Sequence, residues 1–175
     1  MKPLLAAALL LVSLLAQAMP GALRENSAGA QAWQEWGSGE MRWFGLALYD
    51  ATLYVAGDEV ERALLALQLR YRRDIARARL VQASIAEMRR LGAGPAQLQR
   101  WEGELARVFP DVASGDSIIG IRLPGQGVRF FHQDSMRGEI ADPDFGRWFF
   151  AIWLDPRCHS PALREKLLQR PGTPS

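Results

Sequence analysis

Apolar and polar positions alternate with a period of two in several stretches of the chain, and with a period near 3.6 in others. In "ALYDATLYVAG", Ala47 to Gly57, alternation puts Tyr49 on one face with Ala47, Ala51 and Leu53, and Tyr54 on the other with Leu48, Asp50 and Thr52. "LLALQLRYRR" sends Leu65, Leu67, Leu69 and Tyr71 one way and Gln68, Arg70 and Arg72 the other, which predicts a half-buried strand. Upstream, Gly37 and Gly39 punctuate "AWQEWGSGEMRWFG" and predict a tight bend or hairpin there.

From Asp74 the period lengthens. Ala78, Val81, Ile85 and Met88 recur at helical steps up to Gly92, with Asp74 in position to cap the helix start. A second helix opens at Gly94-Pro95, lines up Leu98, Trp101, Leu105 and Val108, and stops before Pro110. "DSIIGIRLPGQGVRFFHQ" reads as two strands about a Pro124–Gly127 turn, and "SMRGEIAD" adds a third. Asp142-Pro143 then starts an aromatic helix carrying Phe145, Trp148, Phe149 and Ile152, and Ser160-Pro161 opens a last one with Leu163, Leu167 and Leu168 inward. Strands in blocks on both sides of a helical pair predict an α+β fold, with an antiparallel sheet packed by helices on one face.

The termini differ from this pattern. Lys2, the apolar run from Leu4 to Val12, and Ala16 and Ala18 form a secretory signal peptide over 1–18 with an A-x-A cleavage site. That run is too short to span a bilayer, and no later stretch is long enough. Residues 19–31 are rich in Gly, Ala and Ser and read as a mobile lead-in, 32–170 as one domain, and 171–175 as a tail. The expected location is periplasmic or secreted.

Composition narrows the chemistry. Without Lys2, Lys166 and nineteen arginines face nineteen acidic residues, so nothing calls for a polyanionic partner. The arginines of "RYRRDIARAR" read as a solvated face, with no nucleic-acid role expected behind a signal peptide. A single cysteine, Cys158, forms no internal disulfide, and its neighbour His159 completes neither a metal site nor a nucleophile. Asp116 suits a turn cap, while His132, Asp134 and Ser135 are too close in sequence to converge as a triad. No metal spacing, phosphate loop or dinucleotide fingerprint occurs, so no cofactor is expected.

The pieces "WGSGEMRW", "LYDATLYVAG", "LRYRRDI", "AEMRRLG", "WEGELARVFPDVASGDSIIG", "GEIADPDF" and "FFAIWLDP", in this order, resemble the chalcone isomerase-like proteins, in particular a secreted bacterial branch. The resemblance implies an open-faced β-sandwich of the chalcone isomerase type with a cleft between sheet and helices. In plant isomerases that cleft holds a flavonoid precursor; in related plastid proteins it holds a fatty acid whose carboxylate meets an arginine and a tyrosine. Tyr49, five residues before Tyr54, reproduces the binders' tyrosine spacing, where the isomerases are similar to one another in carrying threonine. Arg42 is the corresponding arginine, and Gln82 is a neighbour of the donor positions. Those donor positions fall near Ala76 and Ala83, neither of which donates a hydrogen bond, so no catalytic residue is assigned.

The expected ligand is a small apolar carboxylate held by Arg42, Tyr49 and Gln82. A protein-interaction module without ligand, with its partner unknown, and an isomerase or lyase of unknown substrate are the alternatives. Arg42 and Tyr49 are seven residues apart, which puts them on opposite strand faces unless a bulge at Trp43 to Gly45 resets the alternation.

Overall fold

A computed structural model describes residues 19–26, 32–58, 60 and 63–169. The segments read as signal peptide, 1–18, and tail, 171–175, lie outside the described residues. The elements run α1 (Gly21–Glu25), β1 (Trp33–Trp43), β2 (Leu46–Ala56), β3 (Leu64–Tyr71), α2 (Arg77–Leu91), α3 (Pro95–Val108), β4 (Ser117–Leu123), β5 (Gly127–His132), β6 (Ser135–Ile140), α4 (Pro143–Leu154) and α5 (Pro161–Leu168). The six strands form one antiparallel sheet in sequence order, and the helical pair α2–α3 is inserted between the neighbours β3 and β4. The α+β open sheet expected from the alternation is therefore the observed architecture.

One face of the sheet carries α2 to α5. Ala51, Leu53, Val55, Leu65, Leu67 and Leu69 meet Val81, Ile85, Met88, Leu98, Trp101 and Leu105 in the main core. An aromatic layer extends it: Phe149 touches the rings of Phe109, Phe130, Phe145, Phe150 and Trp153 at centroid distances of 5.2–6.3 Å. Asp142 fixes this layer from two directions. Its carboxylate accepts the Asp144 and Phe145 backbone N–H groups as the N-cap of α4, and the Trp101 indole N–H at 2.9 Å.

Four expectations are corrected. The β1–β2 turn is at Phe44-Gly45, and β1 continues through Gly37 and Gly39 with only a bulge at Trp36. A Cβ on Gly37 would lie 2.2 Å from the Lys166 carbonyl oxygen of α5, so that glycine serves close helix approach, not a bend. Asp74 does not cap α2: Ala76 is the N-cap, the Asp111 carboxylate takes the Arg77 N–H, and Asp74 bonds the Ser114 N–H. Ala78 is exposed, and Leu91 completes the buried stripe instead.

The last correction concerns the lead-in. Part of it is α1, which lies on the other sheet face with Ala22 and Leu23 fully buried among Trp33, Tyr54, Ile119, Ile121 and Phe131. Asp134 accepts the Ala22 N–H at 3.0 Å, and Asn26 receives the Trp33 indole N–H and the Arg129 guanidinium. Leu23 and Ala22, with these hydrogen bonds, hold the segment on the sheet.

The turn itself is unusual. Phe44 and Gly45 both have positive φ, 48° and 79°, as two-residue hairpins need to match strand twist. Glycine adopts this conformation freely, whereas an L-residue such as phenylalanine costs about 1–2 kcal/mol there.

Candidate functional site

The register of β1 on β2 decides which residues share a face. Pairing runs Met41↔Tyr49 and then Arg42↔Ala47, so Leu48 is an extra residue on β2. The bulge is thus on the tyrosine's strand, and β1 keeps its alternation from Glu40 to Arg42. Glu40 pairs with Asp50 on the face away from the helices, and Arg42 joins it there. The Arg42 guanidinium binds the Glu40 carboxylate and the Gly45 carbonyl at 3.2 Å. Met41 faces the helices opposite Tyr49. The register therefore separates Arg42 from Tyr49.

Tyr49 is on the helix-facing side, as its alternation predicts, and Tyr54 packs on the other with its hydroxyl 3.2 Å from Gln68. The Tyr49 hydroxyl accepts the Trp153 indole N–H at 3.0 Å, and its ring stands edge-on to Tyr71 at 5.8 Å. Among the described residues no acceptor takes the Tyr49 proton, and the Tyr71 hydroxyl makes no hydrogen bond. The two hydroxyls thus lie side by side at the end of the aromatic layer without a protein acceptor among the described residues.

Burial pushes the Tyr49 hydroxyl up to about 12; the Trp153 hydrogen bond offsets part of this and the Glu87 carboxylate adds to it. Burial raises Tyr71 too, with Tyr49 beside it, and carries Tyr54 to about 12. Such phenols stay protonated at neutral pH. All three tyrosines of the chain are so affected, which gives a spectroscopic prediction. Native protein is expected to show almost no phenolate absorbance at pH 10.5, where the unfolded chain, titrating near 10, is mostly ionised. Because the folded values are raised, this stabilisation is complete below about pH 10 and is lost as pH rises through 12. Half-ionisation of native tyrosine near pH 10 would refute the burial argument.

Gln82 is exposed on α2, one residue past buried Val81, and Ala76 and Ala83 are exposed as well. None of the three points into the tyrosine layer. The residues that do complete the site, Trp153 and Tyr71, were passed over in the sequence. Trp153 follows Phe149 at the i+4 step and could have been found by extending the aromatic stripe; Tyr71 pairs with Tyr49 across β2 and β3, a register no local signal gives. Arg122, also passed over, is a partly buried arginine on the helix-facing side, its guanidinium 5.9 Å from the Phe150 ring centroid and held below its usual pKa by burial. It lies far along β4 from the Tyr49 row.

The polar clusters elsewhere are structural. Asp116 caps a turn through the Ala113 N–H at 2.9 Å and meets His132 Nε2 at 3.1 Å, the N–H bond being the larger reason its carboxyl titrates low. Asp134 is committed to α1. Cys158 is buried and free, its thiol pushed up by burial. No group of three potential metal ligands occurs among the described residues, and no described helix is long and apolar enough to cross a membrane.

Two concavities, each of about 320 Å³, flank the site. One, lined by Glu35, Glu40, Asp50, Gln68, Arg70 and Arg72, is a polar trough on the sheet face away from α2 to α5. The other is bounded by Met41, Arg42, Trp43, Phe44, His159 and Ser160, between the hairpin tip and the α4–α5 connection. Its Met41 is the cross-strand partner of Tyr49, so one flexible side chain adjoins both the concavity and the tyrosine pair.

Known proteins give the arrangement a context. Residues 29–169 match the family model described as chalcone isomerase-like. The fold is similar to the crystal structure of a fatty-acid binding protein from Arabidopsis thaliana, with a TM-score of 0.60 and 12% sequence identity over 78% of this chain and 86% of that one. Among curated protein sequences none matches. The match over most of its length establishes that the chain belongs to the chalcone isomerase-like family.

Proposed function

We propose that this protein is an exported, non-catalytic member of the family that binds a small apolar carboxylate, such as a fatty acid, between sheet and helices. The observation that carries this is the pair of buried tyrosines, Tyr49 and Tyr71, side by side at the end of an apolar aromatic layer, with no protein acceptor for either hydroxyl proton among the described residues. A buried donor gains most from an acceptor, and hydrogen bonds to a carboxylate are stronger than neutral ones. Phenols held protonated at neutral pH suit holding an acceptor rather than taking up a proton. The signal-peptide pattern of 1–18 supports export, and a fatty-acid binder of the same fold supports the ligand class.

Entry would pass the concavity at the hairpin tip, with Met41 turning aside. Arg42 is tied to Glu40 at that rim and meets the head group on entry, outside the tyrosine site.

Calorimetric titration of delipidated protein with palmitate tests the anchor. Loss of one hydrogen bond to a charged group, about 1.5–3 kcal/mol, makes Tyr49→Phe bind about ten-fold more weakly or worse. Tyr71→Phe behaves likewise, and Arg42→Ala stays within about two-fold by the tenfold-per-1.4 kcal/mol rule. Undiminished binding by Tyr49→Phe, with the loss at Arg42→Ala instead, would reverse the assignment.

A further inference from the structure

Three of the four exposed large apolar side chains among the described residues cluster on one hairpin tip. Phe44 is 90% exposed, Leu46 51% and Trp43 45%; the fourth, Met136, is on β6 at the opposite edge of the sheet. Phe44 also occupies a left-handed backbone position, where asparagine or glycine fits without strain. The other non-glycine residues at positive φ are the polar Gln133 and Asp134. Neither packing nor backbone geometry favours an aromatic ring at 44, since its recorded ring contact is with Trp43, edge-on at 5.3 Å. An observed strain of this kind, with its side chain turned to solvent, points to a role outside folding.

The surroundings say what the tip meets. It is a two-residue turn whose exposed apolar side chains rim the concavity of Met41, Arg42, Trp43, Phe44, His159 and Ser160. Trp43 is backed on one side by His159 at 5.0 Å. Arg42 follows immediately behind the tip, and Arg72 and Arg73 stand at the level of Leu48, whose carbonyl accepts the Arg72 N–H. Glu40 and Asp50 partner Arg42 and Arg72, while exposed Arg73 makes no ion pair among the described residues. Aromatic rings at the end and arginines one row behind are the order of an element seated in a bilayer interface, where tryptophan favours the headgroup boundary and arginines reach phosphates.

We propose that the β1–β2 hairpin tip is a membrane-contact element: Phe44 and Leu46 enter the acyl boundary, Trp43 lies at the interface, and Arg42 and Arg73 meet headgroup phosphates. This seating brings the concavity lined by Arg42, Trp43, Phe44 and His159 to the lipid surface. It stands whether or not a carboxylate binds at Tyr49, because contact with the bilayer needs no occupant there.

Fatty-acid-free protein is sedimented with vesicles of phosphatidylcholine alone and of phosphatidylcholine with phosphatidylglycerol, and tryptophan quenching by brominated lipid is read in parallel. Wild type is expected to partition to both, more strongly with phosphatidylglycerol. Phe44→Asn should lower partitioning by on the order of ten-fold, the effect of withdrawing one buried aromatic ring, while its Tm is unchanged or higher because asparagine tolerates the turn. Leu46→Ser, on an exposed strand end, should lower it several-fold. Wild type left in the supernatant with both vesicles, or Phe44→Asn partitioning as well as wild type, overturns the proposal. So does a Phe44-dependent dimer in vesicle-free sedimentation, which would make a second copy the partner of the tip.

Discussion

Replacing Phe149 by alanine is expected to remove about 3–5 kcal/mol of stability, the usual cost of emptying an aromatic site in a core. The ring is buried, stacks on Phe145 at 5.3 Å, and meets Phe109, Phe130, Phe150 and Trp153 edge-on, so no neighbour can fill the space without abandoning its own contacts. For a domain of this size each 1 kcal/mol moves Tm by roughly 2–4 °C, so the thermal unfolding midpoint should fall by roughly 6–20 °C. The effect reaches the site through Trp153, which rests on Phe149 and donates to Tyr49. Phe149→Ala should therefore admit water to the Tyr49 hydroxyl and let tyrosine titrate earlier, which a stability loss confined elsewhere would not do. Phe149→Leu, with less volume removed, should cost less than half as much. An alanine variant within 1 kcal/mol of wild type would mean that the aromatic layer does not carry the core.

Gly37→Ala should be among the most damaging small changes. Its Cβ would meet the Lys166 carbonyl oxygen at 2.2 Å and that of Leu167 at 2.7 Å. Both are backbone atoms of α5, so the helix itself must move, and the expected cost is about 3 kcal/mol, the upper end for forced overpacking. Buried Leu163 and Leu167 would leave their seats against β1. Hydrogen exchange along α5 should accelerate first. Gly103→Ala is the matched control: nothing lies within 4 Å of its Cβ on the exposed side of α3, and alanine there should add about 0.5–1 kcal/mol. Equal effects at the two positions would remove the close-approach explanation.

These sites show what a sequence makes legible. Local signals were sufficient for the strand faces of Tyr49 and Tyr54, the Gly92 stop of α2, the Pro95 start of α3 and the Asp142 cap of α4, because each depends on residues within one turn or one strand. Gly37 looked like a bend because its partner, α5, lies some 130 residues away, and nothing near the glycine reports that approach. Asp74 looked like a cap because Asp111, which serves α2, arrives from beyond α3. The odd separation of Arg42 and Tyr49 leaves their faces dependent on a bulge, and the bulge at Leu48 is fixed by pairing across β1 and β2. Tyr71 reads as an ordinary core tyrosine until the β2–β3 register sets it opposite Tyr49.

α1 adds a practical consequence. Were cleavage to follow Ala18, the new terminus would begin two residues before Gly21, leaving Leu23 in place within the second apolar cluster. Tyr49 packs against the main core and Tyr54 lies in the second apolar cluster, on opposite sides of the same strand.

Native mass spectrometry of protein purified without detergent tests the binding role most directly. A one-to-one adduct with the mass of a long-chain carboxylic acid is expected on wild type, depleted on Tyr49→Phe and restored to wild type, not to the variant, by added palmitate. Wild type that is free of adduct and takes up no palmitate, or an adduct indifferent to Tyr49→Phe and Tyr71→Phe together, would contradict a carboxylate site at the tyrosine pair.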